Sequence, residues 1–173
     1  MLSWWRGRSK TGRTATKLYG SIVTAARREP FYAIHGVPDT PDGRFAVLVV
    51  HMFLVMERLR HDGAPGQELS RSLVEAFVTD MDDSMREMGV GDLSVPRKVK
   101  KAAGALYDSV GALREAAAQP DGSLERALRG TVMQGDAEPA ASALAAYMEK
   151  AAGELAQSPS TDLLAGHVNF ADL

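Results

Sequence analysis

The chain contains no cysteine, which removes a disulfide framework, a thiolate metal site and a cysteine nucleophile at once. Aromatic residues make up only 6% of its 173 residues, so a core has to be built from Leu, Val, Met and Ala, a palette suited to helices packed on helices. Long apolar runs are missing too. The longest, residues 45–56, is interrupted by His51, whereas a membrane-spanning helix needs about 20 such residues. The opening residues hold no apolar stretch of secretory-signal length, although their Arg, Ser and Thr content without acid is that of a transit peptide. There is no internal repeat, no hairpin turn signal, no G-x-S-x-G, no P-loop and no G-x-G-x-x-G. The lone Gly89-Val90-Gly91 follows a helical pattern, the wrong context for a dinucleotide.

Acid is absent from residues 1–28, which hold Arg6, Arg8, Lys10, Arg13, Lys17, Arg27 and Arg28. The rest of the chain sets 13 of the 20 bases against all 22 acids. A basic arm on an acidic body calls for a polyanionic partner. Anionic lipid or ribosomal RNA, rather than DNA, is the expected one. Trp4 and Trp5 beside Arg6 and Arg8 have the composition of an interfacial anchor. Residues 1–13, including Lys10 and Arg13, therefore read as a flexible basic arm that holds the protein at a membrane or ribosome.

Hydrophobic residues at 45% and charged residues at 24% describe a folded chain. Its length suits one domain, placed at 14–157, with a tail at 158–173. The apolar spacing predicts an all-α fold, an irregular bundle of six or seven helices. The first runs over 14–28 and stops at Pro30. A connector over 31–41 follows. Asp42 reads as the N-cap of a buried central helix through residue 60. After a turn at 61–66, a helix over 67–88 carries the stripe Leu69, Leu73, Phe77, Met81, Met85 and Met88, closed by Gly89. Asp92 or Ser94 caps the next helix, which has Pro96 in its first turn and Val99, Leu106, Val110 and Leu113 inward. A short helix over 123–133 and one over 139–156 complete the bundle, and a short turn and extended segment end the chain.

Four features have competing readings. Asp80, Asp82 and Asp83 resemble the Asp-rich helices that hold magnesium in all-α enzymes. That site needs carboxylates stacked at i and i+4 and a second cluster opposite; Asp80 shares its side with Ser84, which is no acid, no second Asp-rich run exists, and a salt-bridged surface with Asp82 on Arg86 is the simpler reading. His51, inside the most apolar segment, reads as a hydrogen-bonded core histidine or as a client-facing or heme-proximal group. Arg97, Lys98, Lys100 and Lys101 crowd a helix start, where positive charge opposes the helix dipole, so the cluster is either a solvated face or a partner-binding one. Met52, Met56, Met81, Met85 and Met88 are either core or an adaptable surface for apolar clients. His61-Asp62 lacks the further ligands of a metal phosphohydrolase.

Residues 77–107, FVTDMDDSMREMGVGDLSVPRKVKKAAGALY, resemble the signature of the ubiquinol–cytochrome c chaperone family. That signature is an acidic DMD-type helix, then REMGVGD, then a lysine-rich V-P-(K/R) helix start. The segment VVHMFLVMERL resembles the family's His-containing apolar helix, and Leu18-Tyr19-Gly20 with Pro30-Phe31-Tyr32 resembles its opening. The likeness covers roughly residues 14–118. Tyr107 is followed by Asp108-Ser109 where a Tyr-Gly-Arg run is frequent, and Phe53 stands where mitochondrial members usually have Trp. The resemblance implies an all-helical, non-enzymatic assembly chaperone without a cofactor. Mitochondrial members bind newly made cytochrome b near the ribosomal exit, with a small partner protein, until heme and other subunits of the bc1 complex join. A bacterial member would work at the cytoplasmic face of the inner membrane, a eukaryotic one in the mitochondrial matrix. The expected client or partner contacts, at a groove beside the His51 helix and the Met81–Met88 helix, are His51, Phe53, Arg58, Asp80, Asp83, Arg86, Lys98, Lys100 and Lys101. A ribosome- or RNA-binding module using the arm and residues 97–101 is the alternative, and a small all-α enzyme on the Asp80–Asp83 run a further one.

Overall fold

The computed structural model describes residues 10–119, 122–132 and 138–172. Among these the elements are α1 (Lys10–Ala26), α2 (Pro30–Ala33), α3 (Pro41–Leu59), a 3-10 turn (Arg60–Asp62), α4 (Gly63–Glu87), α5 (Val95–Ala117), α6 (Ser123–Ala127) leading into a π turn (Leu128–Val132), α7 (Glu138–Gln157) and α8 (Ser160–Leu164). No strand occurs among the described residues, so the all-α expectation holds. The connector at 31–41 contains the unexpected single-turn helix α2, which uses Pro30 as its first residue. Proline at a helix start costs nothing, because its missing N–H would have had no partner there.

The central helix is α3. Its N-cap is Thr40, not Asp42: the Thr40 hydroxyl accepts from the Gly43 N–H at 3.2 Å, and Pro41 begins the helix. Such a cap contributes about 1 kcal/mol. Gly43 is required by a close approach, since a Cβ there would lie 2.0 Å from the Pro38 carbonyl oxygen. From Ala46 to Met56 every residue of α3 is buried, and α1, α4, α5 and α7 pack around it. A helix apolar on all sides has no solvent face, which is why its Val-rich run folds as helix in the middle of the bundle.

The surrounding helices bury one stripe each. In α1 that stripe is Ala15, Leu18, Tyr19, Ile22 and Ala26. The helix starts at Lys10, four residues earlier than the spacing suggests, so Lys10 and Arg13 stand on its first turn. In α4 the stripe is Leu69, Leu73, Val74 and Phe77. Of the methionines placed further along that stripe, Met81 continues it, packing half-buried against the core, Met85 is half-buried and Met88 is exposed. Gly89, with φ of 76°, ends α4, and the Val90 N–H reaches the Met85 carbonyl at 3.0 Å. Ser94 precedes α5 but its side chain makes no capping bond, and Asp92 is drawn instead to Arg86 at 2.6 Å.

The segment after Ser158 is woven into the domain. Leu163 and Ala171 are buried in the core, and the Ala171 carbonyl accepts from Arg28 at 3.0 Å. Lys150 donates to the Asp172 carbonyl at 2.7 Å.

Candidate functional site

Two places in the bundle concentrate polar groups, and they differ in kind. The first lies beneath the surface. His51 is 0% exposed. Its Nδ1 lies 2.8 Å from the Val47 carbonyl oxygen, which only accepts, so Nδ1 carries the proton. Its Nε2 then accepts from the Tyr147 hydroxyl at 2.9 Å, and that hydroxyl accepts from Arg28 at 3.1 Å. Phe31, Tyr147 and Phe170 pack edge-on or tilted against the imidazole, with ring centroids 4.7–5.4 Å away. Burial pushes the His51 pKa down to about 4 and the Tyr147 phenol up to about 12, so both stay neutral near pH 7. Every polar atom of this chain of hydrogen bonds has a partner. Of the two readings of His51, the core histidine is the one observed. Phe53, at 4% exposed, is core as well. Both side chains are packed inside the bundle and present no surface in this structure. Met52 and Met56 are core for the same reason.

Arg58 is also structural. Its guanidinium donates to the carbonyls of Leu155 and Ser158, each at 3.0 Å, to the Ser160 hydroxyl at 3.0 Å and to Asp62 at 2.8 Å. The end of α7 has carbonyls without helical partners, and Arg58 supplies both the donors and the positive charge that such an end favours. The Arg58 and Asp62 side chains are 11% and 4% exposed, so this cation is spent inside the protein. Asp62, of the His61-Asp62 doublet, is likewise engaged by Arg58 and by the Ser160 hydroxyl.

The second place is the outer half of the α4–α5 hairpin. No residue of α4 after Phe77 is buried, and in the first half of α5 only Val95 and Val99 are. Here Val78, Met81, Ala102 and Ala103 pack half-buried against the edge of the core, and the two helices leave a groove between them with a volume of about 640 Å³. Val78, Pro96, Val99 and Ala103 supply its apolar surface, and Thr79, Asp82, Asp83 and Lys100 its polar edges. Arg86 bridges the mouth: it pairs with Asp82 and with Asp92 of the connecting loop, both at 2.6 Å. The Asp82–Arg86 pair is the one that its i, i+4 spacing predicts.

The remaining residues fall into place around this groove. Asp83 of α4 and Lys100 of α5 both line it. Lys98 and Lys101 are exposed elsewhere on the start of α5. Asp80 points the other way and accepts from the Tyr19 hydroxyl at 2.9 Å; burial and the adjacent carboxylate push that phenol well above its ordinary range. With Asp80 on Tyr19 and Asp82 on Arg86, the acidic run is divided among protein partners, and among the described residues no group of three or more His, Asp or Glu is placed to hold a metal. Lys10 and Arg13 lie at the far end of α1, and Trp4, Trp5, Arg6 and Arg8 lie outside the described residues. Val78, Thr79, Pro96 and Ala103 were missed by the sequence reading. Pro96, Lys100 and Ala103 share a face of α5 at i, i+4 and i+7, a stripe too small and mixed to register as amphipathic.

The Ubiquinol-cytochrome C chaperone family model matches residues 33–170. Over 114 residues the chain is 24% identical to the ubiquinol-cytochrome c reductase complex assembly factor 1 of Mus musculus, covering 66% of this chain and 39% of that protein. The Xenopus laevis assembly factor 1 is 22% identical over 114 residues, again 66% of this chain, and 57% of that protein is covered. The chain thus spans less than two thirds of the length of these relatives. The crystal structure of the Cbp3 homolog from Brucella abortus superposes with a TM-score of 0.80 at 33% identity, over 94% of this chain and 91% of that one.

Proposed function

Because the chain belongs to the ubiquinol–cytochrome c chaperone family, we propose that it is a non-enzymatic assembly chaperone of the ubiquinol–cytochrome c reductase, the bc1 complex, and that newly made cytochrome b is its client. One observation carries this reading beyond kinship: the α4–α5 groove is an apolar slot lined also by Asp83 and Lys100. It lies within the stretch that carries the family signature. A hydrophobic subunit awaiting its partners exposes apolar segments bounded by polar loops. The slot offers Val78, Val99 and Ala103 to the former and charges of both signs to the latter. Client binding there hides apolar surface from aggregation and makes or breaks no bond.

No helix among the described residues is long and apolar enough to cross a membrane. The protein would meet its client from the surface of the membrane that receives cytochrome b, the inner membrane, with the basic arm adding attraction for anionic lipid.

The test is recovery of tagged protein from membranes solubilised in mild detergent. Cytochrome b is expected to accompany the wild-type chain and to be lost with Lys100→Glu or Ala103→Glu, while Glu149→Lys, exposed on α7, retains it. Recovery of ribosomes without cytochrome b, or equal recovery by the groove variants, would contradict the proposal.

A further inference from the structure

The loop joining α4 to α5 exposes what a soluble surface avoids. Leu93 is 99% exposed and Met88 73%, and they stand at opposite ends of a short turn. Neither packs on the core, although Val95 and Val99, just beyond, turn inward and are buried. Single exposed apolar residues are ordinary on a protein surface. Here two fall in the one connection between α4 and α5, flanked by charge. Arg86 takes up Asp82 and Asp92. Asp83 and Glu87 then remain against Arg97, Lys98, Lys100 and Lys101, none of which makes an ion pair among the described residues, and Arg97, Lys98 and Lys101 are exposed on the first turns of α5.

We infer that this tip is a membrane-insertion element: Leu93 and Met88 enter the boundary between headgroups and acyl chains, and Arg97, Lys98 and Lys101 bind anionic headgroups beside them. This placement favours a lipid surface over a protein. The apolar residues are exposed and do not line the groove, and the neighbouring cations fit the negative potential of an anionic leaflet. The Arg86 bridge holds the turn against the hairpin and neutralises the loop's own carboxylate, Asp92, which would otherwise face the phosphates. Seated this way, the tip brings the α4–α5 groove down to the bilayer, since Pro96 and Lys100 of the groove follow Leu93 within two turns of helix. The contact differs from that of the basic arm, and it does not depend on which client the groove takes.

The absence of cysteine makes a site-specific probe simple. An environment-sensitive dye on Leu93→Cys is compared with the same dye on Glu115→Cys, an exposed position about 30 Å farther along α5. Vesicles of phosphatidylcholine alone and of an equal mixture with phosphatidylglycerol are added to the full chain. The dye at 93 is expected to shift to the blue with the anionic vesicles only, and the dye at 115 not to shift. Leu93→Asp combined with Met88→Asp is expected to weaken vesicle binding about tenfold or more with the melting temperature unchanged, because both side chains are exposed. Binding of the chain without a shift at 93 would assign the contact to the arm alone and overturn the inference. No shift with either vesicle would leave the tip to a protein contact, and unchanged binding by the double variant would refute it equally. Because these vesicles contain no cytochrome b, failure here leaves the client reading standing, and failure of client recovery leaves this one standing.

Discussion

The His51 core and the outer α4–α5 hairpin are both rich in polar groups, and they use them in opposite ways. In the core, Arg28, Tyr147, His51 and Val47 form a closed relay in which each donor meets an acceptor. At the far end of α3, Arg58 is consumed by four partners. At the hairpin, Arg86 holds Asp82 and Asp92 and Tyr19 holds Asp80, whereas Asp83 and Lys100 line an apolar slot without an ion pair among the described residues. Buried polar groups left without partners are costly, so selection for folding satisfies them. Exposed charges beside an unfilled apolar groove gain nothing for the fold and are available to something else. The His51 relay is satisfied throughout and Asp62 keeps one buried oxygen, Oδ2, without a hydrogen bond, so dependence on Arg58 is greatest there.

That contrast breaks most visibly at Arg58. Arg58→Ala leaves Asp62 buried without its cation and uncaps the end of α7. A loss of about 3 kcal/mol is expected, read as a fall of about 10 °C in melting temperature. Acid probes the core next. His51 has its pKa lowered from 6.5 to about 4 in the folded chain, so the unfolded chain takes up the proton first. The stability linked to this group is complete above about pH 6.5 and is lost as pH falls toward 4, by up to about 3 kcal/mol. Denaturant titrations at stepped pH should show this fall, and His51→Gln should flatten it. Tyr147→Phe removes the hydroxyl that joins Arg28 to His51 and should cost about 1–2 kcal/mol by chemical denaturation. At the hairpin the order reverses. Arg86→Ala breaks two surface pairs and should cost less than about 1 kcal/mol, and Lys100→Glu less than about 0.5 kcal/mol, although the latter is expected to abolish client recovery.

The helices were legible because their signal is local. Spacing of three and four residues places α1, α3, α4, α5 and α7, and the buried state of His51 follows from the apolar residues on both sides of it. Asp82–Arg86 was legible for the same reason. Features that depend on distant partners were not. Arg58 looks like a surface cation in its own helix, since its other partners, Leu155, Ser158 and Ser160, lie about a hundred positions away and only the fold brings them together. The stripe reaches the edge of the core at Met81 and leaves it by Met88, which is exposed, because periodicity does not report how far the neighbouring helices extend. Asp42 and Thr40 are both good N-caps by type, and Pro41 decides between them by starting the helix one residue after Thr40. The groove itself is made of small and mixed residues from two helices, and no single-helix pattern reveals it.

The central claim is that the client meets the outer α4–α5 hairpin and not the face above the His51 core. A photo-crosslinking side chain at Ala103, in the groove, and another at Asn169, exposed on the segment crossing that core, test it in membranes making cytochrome b. A crosslink to cytochrome b from position 103 with none from 169 is the predicted result. A crosslink from 169 with none from 103 would contradict the account.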